Sequence, residues 1–152
     1  DPEMSRGLGD VYKRQVLTYY ESILDNLGCC HNFDVYGHLD YIARYIPANS
    51  YTYNWHDFND LICIILKTII EQGKGIEVNT AGLKYGMPEP NPCLDIVKMY
   101  HDLGGEIITV GSDAHEVKFF AYRFDVVADM LKNAGFNYYT IFNERKPEFI
   151  RL

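Results

Sequence analysis

Three short polar clusters in this 152-residue chain carry the residue types that grip divalent ions and phosphate: Gly37-His38-Leu39-Asp40, Glu77-Val78-Asn79-Thr80 and Gly111-Ser112-Asp113-Ala114-His115. Imidazole and carboxylate together suit zinc, iron or manganese. Asp113 and His115 are alternate residues, which on an extended backbone point the same way. Alone, the same pair could be an aspartate capping the next helix beside a solvated histidine. His38 has a comparable alternative as a buried imidazole hydrogen-bonded to Asp40. Glu77 stands among apolar neighbours, where an unpartnered carboxylate is costly to bury, so it requires a metal, a cation or a bonded ligand. Lys84, in a loop after Gly82, could meet an anion or simply face water.

The elements that must position these groups follow from hydrophobic spacing. Val16, Tyr19, Tyr20, Ile23, Leu24 and Leu27 recur at three-and-four intervals, which predicts a helix stopped by Gly28. A short strand over 33–36 follows. Asn54 or Asp57 can cap a helix running to about Gln72, with Phe58, Leu61, Ile62, Ile65, Leu66, Ile69 and Ile70 inward. Residues 76–78 are the next strand. Asn91-Pro92 reads as a cap followed by a first-turn proline, opening a helix that carries Leu94, Ile96, Val97, Tyr100 and Leu103. A strand over 106–110, a helix over 119–134 and a strand over 138–142 complete the series.

Short strands separated by helices imply parallel pairing through crossover connections. The class is α/β, and each polar cluster falls just where a strand ends, on a single rim. Such rims are where sites form in parallel α/β folds. Four strand–helix units are half of what a closed barrel of the common size contains, so the chain is expected to be a fragment.

Composition narrows the partners. Twenty-one acidic and fourteen basic side chains leave a formal charge of −7, which supplies no general field for a nucleic-acid backbone. The longest apolar run, 61–70, is interrupted by Lys67 and Thr68 and is far short of the ~20 residues a membrane span needs. Cys29, Cys30, Cys63 and Cys93 include no C-x-x-C pair and read as reduced, small core residues of a cytoplasmic protein. Residues 1–15 carry three acids and three bases without a helix or strand period. They read as an appended segment, a sequencing artefact, outside a domain over 16–152. His31, His56 and His101 lack polar company, and His56, at a helix start, and His101, on a helix, read as structural.

In order, the segments DVYGHLDYIARYIP, GIEVNTAGLKYGMPEPNP and IITVGSDAHEVKFFAYRFDVVADMLKNAGFNYYTIFNERKPEFIRL resemble the C-terminal half of a histidinol-phosphatase of the PHP (polymerase and histidinol phosphatase) family. The resemblance implies half of a distorted (β/α)7 barrel with crossover helices. It also implies a cluster of up to three divalent ions, zinc, iron or manganese. The implied reaction is hydrolysis of L-histidinol phosphate to L-histidinol and phosphate, a step of histidine biosynthesis. His38, Asp113 and His115 match its metal motifs, with Asp113 and His115 also catalytic. Glu77 and Asn79 match a polar pair near the substrate, and Lys84 stands where relatives carry a basic residue for the phosphate. The family's opening H-x-H motif has no counterpart here, so the chain alone is expected to bind metal weakly and turn over little. Two other readings remain: another metal-dependent phosphoesterase of the superfamily, and a non-catalytic half-domain. The oligomeric state is not legible.

Overall fold

A computed structural model describes the backbone of residues 2–47 and 51–152, and the side chains of residue 7 and residues 9–47 and 51–152. Three strands form a parallel sheet in the order β1 (Val35–Tyr36), β2 (Gly75–Asn79), β3 (Ile108–Gly111). Tyr36 pairs with Ile76, and Asn79 with Gly111. Helix α1 (Pro2–Cys29) precedes β1, α2 (Asn59–Glu71) connects β1 to β2, and α3 (Leu94–Asp102) connects β2 to β3. Helix α4 (Phe124–Ala134) then leads to β4 (Tyr138–Asn143) and β5 (Lys146–Arg151).

The apolar stripes become the core. Val16, Tyr20, Ile23 and Leu27 of α1 pack with Ile62, Ile65, Leu66 and Ile69 of α2, Ile96, Val97 and Tyr100 of α3, and Val127, Met130 and Leu131 of α4. Ile76, Val78 and Ile108 of the sheet join them without any solvent exposure. Each such side chain contributes about 1.5–3 kcal/mol by leaving water. Because side chains alternate along a strand, Glu77 and Asn79 stand on the face opposite Ile76 and Val78. Glu77 is therefore half-exposed rather than embedded among the helices. Among the described residues no helix is long and apolar enough to cross a membrane.

Five expectations are corrected. The segment before Val16 is helical from Pro2 onward, although none of residues 7 and 9–15 is buried. The packed face beginning at Val16 nucleates the helix, and each added residue then gains a hydrogen bond at little cost. Lys13 also reaches Asp57, at 3.0 Å.

The cysteines are free thiols, but Cys29 and Cys30 are exposed and Cys63 and Cys93 half-buried. The inward stripe of α1 ends at Leu27, so the two residues at its end have no core to enter. Asn91 does not cap α3, whose N-cap is Cys93. Its backbone pairs with that of Asn79 in both directions, at 2.7 and 2.9 Å, and this continues the edge of β2. The last helix starts at Phe124, because Ala121 and Arg123 are left-handed (φ 52° and 54°) and interrupt the run from 119.

The last strand, finally, does not extend the parallel sheet. β4 pairs antiparallel with β5 through a two-residue turn, Glu144-Arg145, with φ of 48° and 63°. Positive φ at both turn positions is the hairpin geometry that matches strand twist. No glycine marks it, so composition alone left it invisible. β4 instead touches β3 through a side chain: the Ile108 N–H donates to Thr140 Oγ1, 3.1 Å, where Thr140 is buried.

Candidate functional site

All three parallel strands end on one side of the sheet, so the Gly37-His38, Asn79-Thr80 and Ser112-Asp113 segments share a rim, as the spacing predicts. The middle strand supplies the centre. Glu77 Oε1 accepts from Asn79 Nδ2 (2.9 Å), and Asn79 Oδ1 accepts from the Ala81 N–H (2.8 Å). This chain of bonds sets the carboxylate's orientation. Bare backbone flanks it: a methyl on Gly37 would stand 3.4 Å from Glu77 Oε1, and one on Gly111 2.3 Å from Oε2. Two glycines therefore open the cradle in which the carboxylate lies.

His38 and Asp113, the residues just beyond β1 and β3, are both left-handed, with φ of 33° and 43°. Neither is glycine, and such residues at positive φ are uncommon and strained. The turn after His38 is held by the Tyr41 N–H donating to the His38 carbonyl, 2.9 Å. The imidazole stacks on Tyr41 at 4.3 Å between centroids, and its buried Nδ1 has no hydrogen-bond partner. Asp113 and His115 are exposed.

Lys84 lies in a short 3-10 helix over Ala81–Tyr85 and donates to the carbonyls of Ser112 (2.9 Å) and Asp113 (3.2 Å). Its ammonium thus ties the β2 side of the rim to the tip of β3, and one of its three donors remains.

Asp40 is not paired with His38. It is buried, and its two oxygens accept from Asn91 Nδ2 (2.7 Å) and the Cys93 N–H (3.1 Å). Burial pushes its carboxyl up to about 6, against the two hydrogen bonds that favour the charged form. Asp40 therefore fastens the His38 turn to the segment bonded to Asn79.

Spacing arguments missed Asp40 in this role, and they missed Arg44. Arg44 donates to Tyr41 Oη and lies over the Tyr85 ring at 3.6 Å. A cation six residues past the strand-end histidine was the available signal.

A divalent ion fits this rim in part. The orphaned nitrogen of His38 and the glycine-walled carboxylate are features such an ion would explain. Among the described residues, however, no three His, Cys, Asp or Glu side chains gather closely enough to hold one. The sheet accounts for this: β1 and β3 flank β2, so their tips stand about 10 Å apart.

No family model matches the chain. It is 43% identical over 110 residues to a probable histidinol-phosphatase of Thermotoga maritima, covering 72% of this chain and 44% of that protein. It is 31% identical over 117 residues to a probable histidinol-phosphatase of Clostridium acetobutylicum, covering 77% and 46%. Among solved structures, it resembles the histidinol phosphate phosphatase of Lactococcus lactis in complex with zinc, L-histidinol and phosphate. The TM-score is 0.70 at 25% identity, over 86% of this chain and 49% of that one. The chain spans about half the length of the curated relatives it matches. In sequence and in fold the chain is a homologue of the histidinol-phosphatases, matching their C-terminal part.

Proposed function

We propose that this chain supplies one side of a metal-dependent phosphomonoesterase site acting on L-histidinol phosphate. The observation that carries the reading is the pair of strained residues, His38 and Asp113, on either side of the Glu77 cradle. Strain of this kind persists where the surrounding structure over-determines it, and it concentrates at functional sites. Zinc stands in the Lactococcus structure, and the histidine and carboxylate donors suit zinc, iron or manganese here. Up to three such ions, in a half-barrel of the distorted (β/α)7 type, complete the proposed assembly.

Divalent ions bound there would supply hydroxide near neutral pH and neutralise phosphoryl oxygens. His38 would hold an ion at the β1 tip, and Asp113 and His115 would do so at the β3 tip. With those tips ~10 Å apart, the proposal gives the two sets of donors to different ions. Asn79 fixes the Glu77 carboxylate toward the centre of the rim. Lys84, with its remaining donor, and Arg44, with a planar fork, provide cations for the phosphate. The acidic formal charge of −7 favours a small phosphate ester over a nucleic acid, and a cytoplasmic biosynthetic role is the setting such a substrate implies.

The test is a chimera in which residues 16–152 replace the matching half of the Lactococcus enzyme. We expect zinc-dependent release of inorganic phosphate from L-histidinol phosphate, lowered about 100-fold or more by Asp113→Asn. A folded, zinc-loaded chimera that leaves the ester intact, or one indifferent to Asp113→Asn, defeats the proposal. The isolated chain should bind zinc weakly and release little phosphate.

A further inference from the structure

The thiols of two neighbouring cysteines have no part in the phosphatase reading. Cys29 is the last residue of α1 and Cys30 the first beyond it. Both are exposed free thiols, and their sulfurs are 3.5 Å apart. The helix end brings them together: the Cys30 N–H donates to the Asn26 carbonyl at 2.8 Å, and the Cys29 thiol leans on the same carbonyl at 3.7 Å.

Two thiolates sharing a tetrahedral ion, each about 2.3 Å from it, stand about 3.8 Å apart. The pair is therefore already close to a chelating spacing. Among the described residues no third metal-ligating side chain joins it, so an ion that needs four protein donors is poorly served. A centre satisfied by two sulfurs and a carbon substituent is served well. A cavity of about 350 Å³ adjoins Cys30, with Leu27, Phe33, Val35 and Tyr36 among its walls and His38 of the rim also lining it. It offers an apolar bay for such a substituent.

We propose that Cys29 and Cys30 form a vicinal dithiol site for soft, thiophilic centres of the trivalent organoarsenic class, with the organic group in the bay beside Cys30. Binding is a condensation. Two S–H bonds break, two As–S bonds form, and the oxygen of the arsenoxide leaves as one water carrying both thiol protons. Arsenic stays trivalent and no electron is transferred.

The probe is phenylarsine oxide, added to the reduced chain in excess 2-mercaptoethanol and followed by intact-mass spectrometry. One phenylarsenic adduct per chain is expected, surviving the monothiol and removed by 1,2-ethanedithiol. Cys29→Ser and Cys30→Ser should each weaken it about 100-fold, the scale of a lost chelate. Cys63→Ser and Cys93→Ser should leave it unchanged. Both cysteines of the pair are exposed at a helix end, so circular dichroism should show the serine variants folded. An adduct that persists in either of those two variants, or no adduct on the parent chain, overturns the proposal.

Discussion

Ile76, Val78 and Ile108 of the parallel sheet are withdrawn from solvent entirely, whereas every residue of β5 in the hairpin is exposed. The sheet is held by what lies against it: the two crossover helices, with α1 and α4, pack apolar stripes into its core, and neighbouring strands are distant in sequence. The hairpin is held by its own turn and by backbone bonds between adjacent segments. Left-handed residues occur in both. In the hairpin they make the turn. On the rim, His38 and Asp113 gain no such local return, and the buried sheet beneath them, with the ties from Asp40 and Lys84, sustains the strain. The proposed chemistry falls on the region whose stability comes from elsewhere.

The widest separation between the two regions should appear on truncation. Ile108→Ala is expected to cost about 2–5 kcal/mol, while Phe149→Ala, half-exposed on β5, should cost under about 1 kcal/mol. Urea unfolding measures both, and similar losses would erase the distinction.

Asp40 gives the next effect, and it depends on pH. Burial pushes its carboxyl in the folded state up to about 6, above the ordinary 3.8. The folded state therefore binds more protons between those values, and this group adds stability as pH falls through 6, up to roughly 3 kcal/mol near pH 4. Asp34, half-buried and held low by its hydrogen bond to Arg145, pulls the other way. The difference between parent and Asp40→Asn isolates the term, which should be absent from the variant. Thermal midpoints from pH 4 to 7.5 that run parallel for the two proteins would contradict the burial of a charge at this position.

Thr140 is where the regions meet. Thr140→Val leaves the Ile108 N–H without its acceptor, at about 1–3 kcal/mol, and hydrogen exchange at that amide should accelerate. A protected amide in the variant would mean β3 finds another partner.

The smallest effect has the opposite sign. Asp113→Gly relieves a left-handed backbone and removes an exposed side chain without hydrogen bonds. It should stabilise by up to about 1 kcal/mol while abolishing phosphate release in the chimera. Glu144→Gly in the hairpin turn should gain a similar amount with activity intact. A destabilised Asp113→Gly would mean that this side chain serves the fold.

Much of this was legible in the chain. The three-and-four spacing over 16–27 and 61–70, and the polar groups following short apolar strands, located α1, α2 and the shared rim, because amphipathic periodicity and strand ends are local properties. Asp40 was not legible in its role, since its two partners lie more than fifty residues away. Asn91 misled because a cap signal says nothing of where a backbone pairs: its N–H and carbonyl bond to Asn79, and its side chain is taken by Asp40. The return of β5 along β4 was hidden in the torsions of Glu144 and Arg145, which composition does not announce.

The amino-acid order by itself determined which residues turn inward, where parallel strands stop, and hence that His38, Glu77 and Asp113 would arrive on one rim. Tertiary structure alone decided that Glu77 turns away from the helices into a space left by Gly37 and Gly111, and that Lys84 spends two donors on the β3 tip. It alone laid β5 back along β4. Periodicity is written in neighbouring residues, but the partner of a buried donor or acceptor is chosen only when distant segments compete to satisfy it.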